Sequence, residues 1–135
     1  MRPNTLYEAV KRANEGVPIE AAFGEFLDHF YTSSTPDRLE SVRREPLLHK
    51  DPNINALVAA IAEHLTKSYT TALAPAWVEK PSRFLDHPWF TGPKDDPGLK
   101  EYLTWSSPAA FKRRNIMTDG APLRRATTPR GATES

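Results

Sequence analysis

The stretch DPNINALVAAIAEHL, residues 51–65, carries the clearest helical pattern in the chain. Its Asp-Pro pair is a helix start, because the fixed φ of proline suits the first turn. Apolar side chains then recur at i, i+3, i+4, i+7, i+8 and i+11 over three turns. They are Ile54, Leu57, Val58, Ile61, Ala62 and Leu65. Glu63 falls on the opposite face, so we expect a core helix with Glu63 on its outer side.

Two helices are predicted near the N-terminus. Thr5 and Glu8 fit a capping box, in which each side chain satisfies a free backbone N–H of the first turn. Gly16 can end that helix. A second helix is expected over about residues 18–31, with an apolar face at helical spacing. That face consists of Phe23, Phe26, Leu27 and Phe30.

A third helix is predicted between these segments and the core helix. Its cap is Ser34 or Thr35, directly before a proline that suits the first turn. Leu39 and Val42 are expected to face inward. The helix should stop before Pro46, because the residue preceding a proline resists the α region.

The helical periodicity fails from Thr70 to Gly98. This segment combines prolines 75, 81, 88, 93 and 97 with four large aromatic residues, which a disordered linker would lack. The aromatic residues are Trp77, Phe84, Trp89 and Phe90. We expect an ordered wrap packed onto the helices, with a short helix around Ser82–Leu85 and another near Leu99–Leu103.

The stretch SPAAFKRRNI, residues 107–116, predicts a terminal helix capped at Ser107-Pro108. Phe111 should be buried, and Lys112, Arg113 and Arg114 should surround the rest of the helix. Beyond Ala126 no apolar side chain larger than alanine occurs, so we expect disorder there.

Together these patterns predict an all-α fold, a small bundle of about five short helices wrapped by a segment rich in proline and aromatic residues. Residues 1–126 form a single domain in this prediction. It consists of a helical core (5–68), the wrap (69–105) and a basic C-terminal helix and turn (106–126). Residues 127–135 are predicted to be a disordered tail.

Charge and cysteine content narrow the classes of function. The net charge is +1, but residues 106–135 hold six Lys and Arg against two acids, a balance of +4, which leaves −3 on residues 1–105. Such a distribution suits an acidic partner, nucleic acid or self-assembly. There is no cysteine, which excludes disulfides and thiolate chemistry. With no apolar run suited to a signal peptide or a membrane span, we expect a cytoplasmic protein.

The residues that carry chemistry form no recognisable catalytic pattern. The four histidines lack the spacing of a helical metal motif, and His64 is expected to pack half-buried beside the apolar face. The Asp95-Asp96 pair lies in a turn sequence, which explains it more simply than metal binding. We therefore predict no enzyme activity, no catalytic or metal-binding residues and no cofactor.

The aromatic residues of the wrap and the terminal cations allow more than one interpretation. Trp77, Trp89 and Phe90 could close the core, form a protein-binding surface or stack on single-stranded bases. The cations of residues 112–114 suit the dipole of a helix C-terminus, but they could also contact a protein or nucleic acid.

The second half resembles a family of short, mostly uncharacterised bacterial proteins. The shared pattern is a Pro-Ala-Trp, an aromatic-Leu pair, a Trp-Phe pair and a terminal S-P-x-A-F-[KR]-R-[RK]-N-I-[FM]. The matching positions are Pro75, Ala76, Trp77, Phe84, Leu85, Trp89, Phe90, Ser107, Pro108, Ala110, Phe111, Lys112, Arg113, Arg114, Asn115 and Ile116. The resemblance covers about residues 70–126, with Met117 where an aromatic residue is expected.

Members of that family are often encoded beside nucleotidyltransferase-like toxins of the AbiEii type. The resemblance therefore implies an antitoxin or accessory partner that binds protein without catalysing a reaction. The alternative is a nucleic-acid-associated regulator that uses the basic C-terminal segment. The predicted partner-binding residues are Trp77, Trp89, Phe90, Lys112, Arg113, Arg114, Arg124 and Arg125.

Overall fold

The computed structural model of the protein describes residues 5–91 and 107–118. Helical segments make up 61% of these residues. The α-helices are α1 (Leu6–Asn14), α2 (Ile19–Tyr31), α3 (Thr35–Arg43), α4 (Pro52–Tyr69) and α5 (Ala109–Lys112). Two 3-10 turns (Ala76–Glu79 and Pro81–Arg83) and a short strand, β1 (Trp89–Phe90), lie between α4 and α5. A second short strand, β2 (Ile116–Met117), follows α5. The predicted small all-α bundle is confirmed.

The helix starts follow the local sequence signals. The Thr5 hydroxyl accepts a hydrogen bond from the Glu8 backbone N–H at 3.0 Å. The Ser34 hydroxyl and the Asp51 carboxylate cap α3 and α4 in the same way. At the end of the first helix Gly16 adopts a φ of +109°, which glycine reaches without steric cost. The predicted starts of α1, α3 and α4 are therefore confirmed.

Helix α4 is the centre of the packing. It contacts α3, α5 and both 3-10 turns, while α1 packs against α2. A helix that is apolar around most of its circumference is buried on most sides. The residues of α4 that are buried are Ile54, Ala56, Val58, Ala59, Ala60, Ile61, Ala62, Glu63, Leu65 and Thr66.

Residues 70–91, the described part of the segment after α4, fold into short elements that pack against the helices. The expected short helix near Ser82–Leu85 is a 3-10 turn over Pro81–Arg83. β1 then pairs in parallel with β2, with Trp89 opposite Ile116 and Phe90 opposite Met117. This small sheet had no period-2 signal in the sequence.

The predicted helix over residues 107–116 is much shorter than expected, because α5 ends at Lys112. The backbone N–H of Arg114 and that of Asn115 bond to carbonyls three residues earlier, which tightens the last turn. Asn115 then takes a φ of +67°, and the chain continues as β2. Asparagine tolerates this left-handed conformation better than most residues. Ser107 does not cap α5 with its side chain; its hydroxyl bonds to the Thr118 backbone instead.

Several predictions lie outside the described residues. They are the helix near Leu99–Leu103, the Asp95-Asp96 turn, Arg124 and Arg125, and the tail over 127–135. Of the helices in residues 5–91 and 107–118, none has both the length and the apolar content of a membrane span.

Candidate functional site

The most concentrated charge lies against α4, around the carboxylate of Glu63. Glu63 is only 2% exposed and accepts hydrogen bonds from Lys67 Nζ at 2.7 Å and from Arg114 Nη1 at 2.5 Å. Arg113 Nε donates to both carboxylate oxygens, at 3.1 and 3.3 Å. We call Glu63, Lys67, Glu79, Arg113 and Arg114 the Glu63 cluster.

The cluster keeps Glu63 ionised although it is buried. Burial by itself raises the pKa of a carboxyl group, because it disfavours the charged form. Hydrogen bonds from Lys67, Arg114 and Arg113 outweigh that effect and hold the pKa of Glu63 at about 2. A buried carboxylate with three cationic donors is consistent with the rule that buried charges are paired.

Arg114 connects α5, α4 and the first 3-10 turn. Its side chain is 0% exposed, and besides Glu63 it donates to the carbonyl oxygens of Ala110 and Val78, each at 2.8 Å. Its guanidinium also lies over the ring of Phe84, 4.7 Å from the centroid. Burial lowers the pKa of Arg114, an effect that the hydrogen bond to Glu63 opposes. The expectation that Arg114 faces solvent is wrong.

Arg113 occupies the outer side of the same cluster. Its side chain is 38% exposed, and its Nη2 donates to the exposed carboxylate of Glu79. Hydrogen bonding to Glu79 raises the pKa of Arg113, with a further contribution from Glu63. Two neighbouring arginines therefore have different environments, one enclosed and one at the surface.

The expectation that Glu63 lies outside the core is also wrong. The periodicity correctly identified the apolar face of α4, but α5 and the residues after it cover the face that was expected to be free. Lys67 donates from the next turn of α4, but the other two donors to Glu63, Arg113 and Arg114, come from 50 and 51 residues away in the sequence. One signal was available: residues 52–62 contain no charged side chain, which indicates burial around most of the helix.

A second buried arginine fixes the wrap near the start of α4. Arg83 is 0% exposed and donates from Nη2 to the carbonyl oxygen of Pro46 at 2.8 Å and to Glu45 at 3.1 Å. Its guanidinium lies 5.0 Å from the Trp77 ring centroid. Trp77 itself donates from Nε1 to the Val42 carbonyl oxygen at 3.0 Å. The sequence analysis did not identify Arg83.

The predicted partner-binding residues do not form one surface. Trp77 is 7% exposed and packs in the core. Trp89 and Phe90 are half-buried in β1, and Lys112 is exposed at the end of α5. Arg113 and Arg114 belong to the Glu63 cluster, while Arg124 and Arg125 lie outside the described residues.

An apolar pocket of about 510 Å³ lies between α2 and α4, beside β1, β2 and α5. We call it the α2–α4 pocket. Its buried floor includes Phe23, Ile61 and Phe111, and its half-buried or exposed mouth includes Leu57 and Trp89. The full set of described lining residues is Ile19, Glu20, Phe23, Gly24, Leu27, Ile54, Leu57, Ile61, Trp89, Thr91, Phe111, Ile116 and Thr118. Among the predicted partner-binding residues that the structure describes, Trp89 lines this pocket.

His64 lies on the other side of Phe111, with the two ring centroids 5.5 Å apart in an edge-to-face arrangement. It is half-buried, as predicted, and burial lowers its pKa. Within residues 5–91 and 107–118, no group of three His, Asp or Glu side chains is arranged to hold a metal ion. The geometry of His64 is that of a packing residue.

No protein-family model matches this chain, and no match was found among curated proteins or solved structures.

Proposed function

We propose that this chain is a non-enzymatic protein-binding module, the antitoxin or accessory partner of a nucleotidyltransferase-like toxin. The observation that supports binding is the α2–α4 pocket, which is lined mainly by apolar side chains, with Glu20, Thr91 and Thr118 as the polar ones among the described lining residues. Concave apolar sites with a few polar groups at the edge are typical binding sites. The identity of the partner rests on the resemblance of residues 70–126 to proteins encoded beside such toxins.

The proposed docking residues differ from the terminal cations that the sequence suggested. Arg113 and Arg114 already pair with Glu63 and Glu79 inside the chain. An arginine that is 0% exposed has no surface to offer to a partner. Because both arginines are paired inside the chain, neither is available to bind the phosphate groups of a nucleic acid. We therefore favour a protein partner over the nucleic-acid alternative.

The test begins with the product of the gene next to this chain's own, which we expect to be nucleotidyltransferase-like; it is co-expressed with the chain, and co-purification is measured. Leu57→Glu places a charge in the mouth of the pocket, and Leu73→Glu is the matched control, because Leu73 is 94% exposed and does not line the pocket. We expect the wild type and Leu73→Glu to co-purify with the toxin at moderate salt and Leu57→Glu to lose it. Circular dichroism of each variant checks that the fold is retained.

Two results would contradict the proposal. The first is failure of the wild-type chain to form a stoichiometric complex with that protein. The second is steeply salt-dependent binding to generic DNA or RNA, which is the behaviour of a phosphate-contacting protein.

A further inference from the structure

The mouth of the α2–α4 pocket differs in charge from its floor. The floor is formed by buried apolar side chains, among them Leu27, Ile54 and Ile61. Around the mouth lie Glu20, which is exposed, and Thr91. Of all the described lining residues, Glu20 is the one with a charged side chain. A ligand that fills this floor therefore places its neighbouring groups beside a carboxylate.

The charges on the described elements around the pocket are not all of one sign, because α5 ends in the exposed Lys112. Helix α2 contains Glu20, Glu25 and Asp28 and has no Lys or Arg. Helix α4 supplies no charged residue over 52–62, and β1 and Thr91 supply none. Like charges brought together at an interface disfavour a partner, and opposite charges favour it. Among the described residues that line the mouth, Glu20 is the charged one, so a cation beside it is favoured over an anion.

We infer that the α2–α4 pocket binds a partner-protein segment in which a large apolar side chain is adjacent to Lys or Arg. The apolar side chain fills the floor between α2 and α4, and the cation pairs with Glu20 at the mouth. This inference rests on the proposed protein-binding function and specifies the chemistry of the partner's segment.

The pocket volume is compatible with this occupant. At about 510 Å³ it lies within the usual range of roughly 300–1,000 Å³ for binding pockets. A carboxylate at the edge of an apolar concavity is a common arrangement, in which the apolar contacts give affinity and the polar group gives orientation. Glu20 is thus a specificity-determining residue in this account.

The test uses two matched probes, the capped tetrapeptides acetyl-Leu-Phe-Lys-Leu-amide and acetyl-Leu-Phe-Glu-Leu-amide. Each is titrated at millimolar concentration into the ¹⁵N-labelled full chain while amide shifts of pocket residues such as Leu57 and Thr91 are followed. We expect the Lys peptide to bind about three- to five-fold more tightly than the Glu peptide, because the interaction with the exposed Glu20 is attractive for one peptide and repulsive for the other, and exposed pairs contribute little. The preference should weaken as salt is raised.

Two variants test whether Glu20 causes the preference for the Lys peptide. Glu20→Gln should reduce the preference to less than about two-fold while keeping the shifts at the pocket. Glu25→Gln removes a carboxylate from the same helix that does not line the pocket, so it should keep most of the preference. Both changes are isosteric, Glu20 is exposed and Glu25 is half-buried, so the fold should be retained.

Equal binding of the two peptides, or a preference that survives Glu20→Gln, would overturn the inference. Shifts that avoid the pocket for both peptides would overturn it as well. These outcomes are independent of the toxin. If the toxin co-purifies but the peptides are not discriminated, the proposed function stands and this inference fails. If the peptides are discriminated and the toxin does not co-purify, the pocket chemistry stands and the toxin assignment fails.

Discussion

The N-terminal helical region, residues 5–69, and the C-terminal region, residues 76–91 and 107–118, are stabilised in different ways. In the first region the backbone hydrogen bonds lie mostly within helices, and the core is a set of apolar faces. In the second, the elements are two to four residues long. Such short pieces leave many carbonyl groups without partners in their own element.

In the C-terminal region side chains supply the missing donors. Arg114 donates to the carbonyl oxygens of Val78 and Ala110, and Asn115 donates to that of Leu85. The same occurs in the N-terminal region at the end of α2, where Arg38 donates to Phe30 and Tyr31. Arginine side chains, buried or half-buried, thus bond to backbone carbonyl groups where helices end. Arginines used in this way are not available to bind a partner, although the sequence alone suggests that they are.

The largest expected effect on stability comes from replacing Arg114 of the Glu63 cluster, and replacing its neighbour Arg113 provides the comparison. Arg114→Ala should lower the free energy of unfolding by about 3–5 kcal/mol, because it removes one of the three donors to a buried carboxylate and leaves two carbonyl groups without their side-chain donor. Arg113→Ala should cost about 1 kcal/mol or less, since the side chain is partly exposed. Urea unfolding followed by circular dichroism measures both. If both variants lose a similar, small amount of unfolding free energy, the buried Arg114 contributes no more to stability than the partly exposed Arg113.

The next effect is acid destabilisation through Glu63. Its pKa is about 2 in the folded chain against an ordinary value of 4.5, so the unfolded chain binds the proton first. Stability is therefore fully present above about pH 5 and falls as the pH drops towards 2, by about 2–3 kcal/mol from this group. Unfolding free energies between pH 6 and pH 2.5, compared with those of Glu63→Gln, measure this contribution. If the free energy of unfolding of Glu63→Gln falls as steeply with decreasing pH as that of the wild type, Glu63 does not cause the acid destabilisation.

A smaller effect is expected at the start of α1. Thr5→Ala removes the hydroxyl that accepts the Glu8 N–H, so it should lower the free energy of unfolding by about 1 kcal/mol. Thr5→Ser keeps an acceptor and should recover most of the loss. If Thr5→Ala matches the wild type in urea unfolding, this cap does not contribute to stability.

The smallest effect is expected at the ion pair between Arg43 and Glu40. Both side chains are mostly exposed, although they approach to 2.7 Å. Arg43→Ala should leave the urea midpoint unchanged, because exposed ion pairs contribute little. A clear shift of the midpoint would show that distance alone, without burial, makes a pair stabilising in this protein.

The helices could be predicted because their signals are local. The cap at Thr5, the Gly16 stop and the Asp51-Pro52 start each act within a few residues. The apolar face of α4 followed from spacing alone. The half-buried position of His64 followed from the same face.

The remaining features depend on contacts between distant residues. Glu63 became buried because Arg113 and Arg114 pack against it from 50 and 51 residues away. The end of α5 depends on the left-handed Asn115, whose side chain bonds to Leu85. The pocket could not be predicted either, because the sequence identifies Leu57 as apolar without indicating whether another element covers it.

Glu63 and Arg114 act together to hold the C-terminal segment against α4. A double-mutant cycle with Glu63→Gln, Arg114→Gln and the combined variant measures how strongly the two residues are coupled, with the free energy of unfolding in urea as the readout. We predict that the double variant is more stable than the sum of the single losses implies, by about 1.5 kcal/mol or more, because Glu63→Gln leaves the buried Arg114 without its carboxylate and Arg114→Gln removes one of the three donors to Glu63. Losses that add to within about 0.5 kcal/mol would show that the two residues act independently and would contradict the account.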